Sequence, residues 1–140
     1  FYSEVKRVLR PGGCVVLWCY GVIEFDDPAV QRLTDDFYEN VVGPYWPPER
    51  RLVEEGYRTI AFPFAELEPP VFEMRAEFTL ERFLGYLRTW SATQRFIKAN
   101  GFDPVDKFAL DLTKYWSSSG PRIHWPISLR AGRLVKPEGF

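Results

Sequence analysis

The sequence predicts an α/β fold on three observations. The first is Leu9–Gly21, LRPGGCVVLWCYG, a tight turn that leads into the near-continuous apolar run Cys14–Tyr20. An apolar run without polar alternation reads as a central strand covered on both faces, as in a parallel sheet flanked by helices. The second is the recurrence of apolar residues at helical spacing on either side of that run. The third lies near the end, where Ile123, Trp125, Ile127 and Leu129 alternate with His124, Pro126, Ser128 and Arg130, the period of a half-buried strand.

Each element has its own justification. Tyr2, Val5, Val8 and Leu9 form the apolar stripe of a first helix, with Glu4, Arg7 and Arg10 on its polar face. Pro11 presets the turn, and Gly12-Gly13 accept positive φ without penalty. Helix, turn and strand make half of an α/β repeat. Parallel strands need crossover-linked neighbours, so further strands are expected ahead of Phe1. Asp26 or Asp27 caps the next helix, with Pro28 at its start and Val30, Leu33, Phe37, Tyr38 and Val41 on its inner face. Gly43-Pro44 breaks it. Trp46-Pro47-Pro48 opens a short helix, Glu49–Glu55, which Gly56 ends. Tyr57–Phe64 reads as a strand weakened at Pro63. Ala65–Val71 reads as an exposed loop and Glu73–Phe78 as a short extended piece. Thr79 caps one long helix, Leu80–Ala99, stopped by Asn100-Gly101. Asp103-Pro104 starts the last helix, with Asp106 placed like the acid of a capping box and Phe108, Leu112 and Tyr115 facing inward. Ser117–Gly120 reads as a polar turn. Pro126 speaks for an edge or a bulge in the final strand, and Leu134–Phe140 reads as a frayed tail.

Composition narrows the function. The 140 residues suffice for one domain with a real core, 46% hydrophobic and 26% charged. A formal charge of -1 argues against nucleic acid or an anionic membrane surface as partner. No stretch approaches the roughly 20 apolar residues of a membrane span, and the first residues read as a charged amphipathic helix, not a signal peptide. Cys14 and Cys19 lie five positions apart in one strand, on opposite faces, and read as small buried hydrophobes in a reducing, cytoplasmic setting. With one histidine they make no metal-ligand set. The 12 Phe, 7 Tyr and 5 Trp fit either a bulky core or an apolar pocket.

Five blocks carry a family likeness. Phe1–Gly21 resembles the later part of a class I S-adenosylmethionine-dependent methyltransferase, in which a helix passes through a Pro-Gly-Gly turn into the fifth strand. Gly43–Glu49 (GPYWPPE), Gly56–Phe64 (GYRTIAFPF), Gly85–Ala92 (GYLRTWSA) and Trp125–Arg133 (WPISLRAGR) resemble, in order, a subfamily related to trans-aconitate methyltransferases. The resemblance implies a partial Rossmann-like fold. Leu9–Gly21 would hold the fifth strand, Tyr57–Phe64 the sixth, and Ile123–Arg133 an antiparallel seventh between them, bulged at Pro126. Residues 65–100 would be an insertion over the acceptor pocket. The family's cofactor fingerprint does not occur here. Gly12-Gly13 precede a strand and form a turn, not a strand-to-helix nest. On this likeness, residues 1–140 are the C-terminal portion of a methyltransferase domain. S-adenosylmethionine would be the cofactor of the intact enzyme, not tightly held by this chain. The expected partners are a small-molecule acceptor, with a carboxylate as one candidate kind, together with the missing N-terminal half or a second copy. The alternative is a truncated, non-catalytic binding or structural module that uses an exposed sheet edge.

Methyl transfer asks side chains mainly to align the acceptor and exclude water. Tyr20 ends the buried strand where open α/β sheets place ligands, so it either orients an acceptor or plugs the sheet edge. Trp18 reads as core. Trp90 and Ser91, with Thr89, read by resemblance as part of the acceptor pocket or as helix packing. Arg88 and Arg95 match carboxylate geometry or serve as surface ion pairs. Tyr45 and Trp46 read as a pocket lid or a rigid loop anchor. His124 has no ligand partner in the sequence, and Arg130 and Arg133 read as solubilising the strand end. Glu66, Glu68, Glu73 and Glu77 read as a solvated flank that could hold a base. No catalytic base and no metal ligand is assigned.

Overall fold

The computed structural model describes residues 1–117 and 120–135. Two residues of the expected Ser117–Gly120 turn, and the tail beyond residue 135, lie outside that range. Along the chain come α1 (Tyr2–Val8), β1 (Cys14–Tyr20), β2 (Glu24–Phe25), α2 (Pro28–Asp36), a π-helical turn (Phe37–Val41), a 3₁₀ turn (Gly43–Tyr45), α3 (Arg50–Glu54), β3 (Ala65–Leu67), β4 (Phe72–Ala76), α4 (Leu80–Arg88), α5 (Ser91–Asn100), α6 (Pro104–Leu112) and β5 (Ile123–Arg133). They fall into two compact units. One holds Phe1–Val22, Arg51–Met74 and the chain from Trp125 onward; the other holds Ile23–Arg50 and Arg75–His124.

In the first unit, α1 leads into the glycine turn as expected. Gly12 takes φ +77°, and Gly13 N–H donates to Arg10 O at 2.8 Å. β5 pairs with β1 from Cys14↔Arg133 to Tyr20↔Ile127 and with β3 from Ala65↔Arg133 to Leu67↔Ala131. Both ladders are antiparallel, so the expected antiparallel last strand between two neighbours is present. The ladder with β1 stops at Ile127, next to Pro126, where the missing proline N–H breaks no ladder bond.

Three expectations for this unit are corrected. β1 is not covered on both faces: Val16, Trp18 and Tyr20 are 49%, 60% and 43% exposed, while Cys19 on the opposite face is buried. Trp18 is therefore not core, and Cys14 is exposed. Among the described residues, β1 has an antiparallel partner on one edge and no parallel neighbour.

Second, Tyr57–Phe64 is not a strand. Gly56 and Tyr57 both take φ +60°, and Arg58 N–H and Ile60 N–H close turns onto Glu55 O and Tyr57 O. Left-handed residues cannot continue a pleated strand. The strand forms instead at β3, inside the stretch expected to be a loop.

Third, Arg130 does not merely solubilise. Its Nη1 donates to Tyr57 O (2.9 Å) and Ile60 O (2.6 Å), Nη2 pairs with Glu66, and the guanidinium lies 4.6 Å from the Phe62 ring centre. Arg133 likewise donates to Gly12 O at 2.9 Å.

The second unit is helical around an aromatic core. Val30, Phe37, Phe83, Leu87, Val105 and Leu112 are fully or almost fully buried. Each such side chain contributes about 1.5–3 kcal/mol by leaving water. Phe83 stacks on Trp116 at 5.1 Å and meets Phe25 edge-on at 5.4 Å. Asp27, not Asp26, caps α2 by accepting from Ala29 N and Val30 N, whereas Asp26 accepts from Arg122 N. β2 pairs antiparallel with the start of β5 through Glu24↔His124 and Phe25↔Ile123.

The expected long helix Leu80–Ala99 is two helices. Trp90 is extended (φ −62°, ψ 134°), Thr89 Oγ1 donates to Tyr86 O (2.7 Å), and Gln94 Nε2 donates to the Arg88 carbonyl (2.7 Å). These side chains take carbonyls that a continuing helix would have used. Asp103 caps α6 through Val105 N, but Asp106 does not complete a capping box: it pairs with Arg88 at 2.8 Å. Tyr115, expected inside, is about half exposed.

Candidate functional site

The aromatic group in the second unit begins where α2 loosens. Val42 N–H bonds back five residues to Phe37 O (3.0 Å), the signature of a π-helical turn. That turn places Phe37 and Tyr38 inside. The 3₁₀ turn that follows aims Trp46 back at Tyr38, with ring centres 5.1 Å apart. The break between α4 and α5 brings in Trp90, 5.5 Å from Trp46 and 5.6 Å from Tyr38. Arg50, at the start of α3, lies over two of these rings, 4.8 Å from Trp46 and 5.6 Å from Tyr38. Its Nε donates to Tyr38 OH at 2.8 Å. A guanidinium laid on aromatic faces gains cation–π energy and loses freedom of orientation.

The structure thus brings Tyr45, Trp46, Trp90 and Arg95 into one neighbourhood. Arg95 reaches the Tyr45 carbonyl at 3.5 Å, Asn100 donates to Tyr45 OH at 2.8 Å, and Tyr45 packs on Phe96 at 5.0 Å. Ser91 is exposed at the first position of α5, next to Trp90. Tyr20 belongs to the first unit and stands 43% exposed at the end of β1. Arg88 is occupied by Asp103 and Asp106; the hydrogen bond to Asp103 foremost holds its guanidinium above the ordinary arginine value, which marks a structural clamp. His124 Nε2 lies 2.9 Å from Glu24 Oε2 across the β2–β5 pair, away from these rings in sequence and contacts.

Two polar groups beside the aromatic group are orphaned. Among the described residues, neither the buried indole N–H of Trp46 nor the fully buried Thr93 hydroxyl has a hydrogen-bond partner. Such a group costs about 1–3 kcal/mol when left unpaired, which a ligand oxygen would recover. Sequence reasoning missed Tyr38, Arg50 and Thr93. Its one usable signal was Trp46 and Arg50 four residues apart across Pro47-Pro48. No group of metal-ligating side chains occurs among the described residues.

The glycines do not fit a methyl donor's cradle. Gly12 N–H donates to Leu134 O just past β5 (3.1 Å) and Gly13 N–H to Arg10 O within the turn (2.8 Å), so both amides already have backbone partners. Among the described residues no helix is long and apolar enough to cross a membrane.

Comparison with known proteins gives a consistent likeness. No family model matches the chain. A solved structure described as a type II methyltransferase from Anaeromyxobacter dehalogenans is 41% identical, with a TM-score of 0.88 over 98% of this chain and 59% of its own. The chain is homologous to proteins assigned as methyltransferases. A curated protein so assigned, from Dictyostelium discoideum, is 26% identical over 121 residues, 85% of this chain and 46% of its own length. The chain therefore spans about half the length of these relatives.

Proposed function

We propose that this chain forms the acceptor-binding part of an S-adenosylmethionine-dependent methyltransferase acting on a small molecule that bears a carboxylate. The observation that carries this reading is the 41% identity to a type II methyltransferase across 98% of the chain. The methyl group comes from S-adenosylmethionine, whose cradle this chain's glycines do not form. The chain's own residues do the rest. Tyr38, Trp46 and Trp90 make an apolar wall that excludes water and fixes the acceptor. Arg50 supplies positive charge for a carboxylate, and Trp46 Nε1–H and Thr93 Oγ1–H offer donors to its oxygens. Ser91 and Arg95 on α5, in the same unit, flank that wall. The subfamily blocks favour a trans-aconitate-like acceptor.

The test measures S-adenosylhomocysteine formation by the full-length protein carrying this sequence, over a panel of small di- and tricarboxylates. Turnover on at least one acceptor is expected. Arg50→Ala and Trp90→Ala should each lower kcat/KM about tenfold or more. No turnover on any carboxylate, or unchanged kcat/KM in both variants, overturns the reading. Calorimetry on the 140-residue chain should show no tight S-adenosylmethionine binding; stoichiometric tight binding would reverse that part.

One observation favours a second reading, a binding module without catalysis. Among the described residues β1 pairs with β5 alone, and such an unpaired edge, beside the apolar, half-exposed face of Val16, Trp18 and Tyr20, invites pairing with another chain. Sedimentation that shows a stable monomer across the micromolar range sinks it.

A further inference from the structure

The sheet of the first unit is covered on one face only. Residues opposite each other in an antiparallel ladder share a face, so the register sorts the side chains. On the inner face the Cys19 thiol reaches Val53 O (3.7 Å), a Cβ on Gly56 would meet Ser128, and Phe62 and Phe64 close over Gly132. Residues 53–64 of the chain itself therefore cover that side. The outer face pairs Val16 with Ala131, Trp18 with Leu129 and Tyr20 with Ile127, and Leu67 flanks Ala131 from β3. These pairs are apolar throughout, and the face ends at Cys14 opposite Arg133. Trp18 is 60% exposed on it and Leu67 39%. A contiguous apolar face of this kind marks an interaction surface.

The same strand also has a free edge, since among the described residues β1 pairs with β5 alone. One occupant has to meet both needs. A second copy joined edge to edge through β1 supplies a strand but leaves Val16, Trp18 and Tyr20 bare. A copy laid face to face covers those side chains but leaves the edge unpaired. A strand with an attached helix covers edge and face together. The composition of β1 agrees, because Cys14–Tyr20 lacks polar alternation, the pattern of a strand covered on both sides. The relatives carry enough chain for such a unit. In the Dictyostelium protein the 121 matched residues are 46% of its length. The remainder is longer than the match and far exceeds the roughly 30 residues of a βαβ unit.

We propose that the outer face of β1 and β5, with the free edge of β1, seats a strand–helix unit of the same protein that lies outside these 140 residues. Its strand adds to the edge, and the apolar stripe of its helix lies on Trp18 and Leu129. The inference rests on the reading that this chain is one part of a larger methyltransferase.

The test compares the 140-residue chain with the full-length protein carrying this sequence. Cys14 is exposed, two residues before Val16 on the same face, and serves as a native probe. Its modification by a water-soluble thiol reagent, read by peptide mass, should be about tenfold or more slower in the full-length protein, where a covered thiol reacts only through local opening. The β1 amides that β5 leaves unpaired should exchange freely with deuterium in the 140-residue chain and be protected at full length. Trp18→Glu should leave the Tm of the 140-residue chain nearly unchanged and lower that of the full-length protein by several degrees, because there it buries an unpaired charge. If that variant does not fold at full length, Cys14 labelling and exchange in the parent protein still decide. Equal Cys14 reactivity and equal β1 exchange in the two proteins overturn the proposal. Protection that grows in the 140-residue chain as its concentration rises also overturns it, by assigning the face to a second copy. None of these readouts needs turnover. A protein that methylates no carboxylate but shields Cys14 fails the acceptor reading alone, and an active enzyme with a reactive Cys14 fails this proposal alone.

Discussion

Replacing Arg130 with alanine should unfold the first unit's turn more than any surface charge deletion would. The side chain is 15% exposed and pins residues that cannot hold themselves. Its Nη1 satisfies the carbonyls of Tyr57 and Ile60, at 2.9 and 2.6 Å. Tyr57 sits at φ +60°, a left-handed conformation that costs a non-glycine residue roughly 1–2 kcal/mol. Hydrogen bonds to charged groups contribute about 1.5–3 kcal/mol each. Water will re-solvate part of the loss, and the Glu66 pair counts for little because Glu66 is 59% exposed. The loss of the two carbonyl bonds and the Phe62 contact then sums to about 3 kcal/mol. With an unfolding entropy of about 2.1 cal/mol/K per residue over the 140 residues, that lowers Tm by about 10 °C. Urea unfolding followed by far-UV circular dichroism measures it, with Glu66→Ala as the control expected to cost less than about 1 kcal/mol. An Arg130→Ala loss below about 1 kcal/mol, or a loss matched by Glu66→Ala, would refute the view that the carbonyl contacts hold this turn.

Two further outcomes follow from the first unit. Gly56→Ala should cost about 2 kcal/mol, because Gly56 is at φ +60° and a Cβ there would stand 2.5 Å from Ser128 Oγ; equilibrium unfolding that shows no change would contradict it. Cys14 is exposed and Cys19 buried with its thiol toward Val53 O at 3.7 Å. A thiol reagent should therefore modify one cysteine rapidly under native conditions and the second only on unfolding, and Cys14→Ser should remove the fast phase.

The local rules served well wherever a short segment decides its own conformation. Asp27-Pro28, Asp103-Pro104, Thr79 and Gly101 mark helix ends as expected, because a cap is an interaction among three or four neighbours. They failed where a distant partner decides. Tyr57–Phe64 has a strand's composition, but Arg130, some 70 residues away, binds its carbonyls and holds a turn. The stripe of Leu80–Ala99 reads through Trp90, whose ring instead packs among Tyr38 and Trp46 and needs an extended backbone there. The candidate site shows the same division. Tyr45, Trp46 and Trp90 stood out as aromatics in family-like blocks. Arg50, Tyr38 and Thr93 did not, since nothing in a helical stripe tells which member will meet a guanidinium or lose its hydrogen-bond partner.

By itself, the sequence determined the α/β character of the chain, its helix caps, the glycine turn before β1 and the likeness to methyltransferases, all properties of neighbouring residues or of ordered blocks. Only the tertiary structure decided that β1 leaves Val16, Trp18 and Tyr20 half-exposed and that a π-helical turn sets the aromatic group. Burial depends on what other segments bring to a face, and that is a property of the folded chain, not of the residues that wait to be covered.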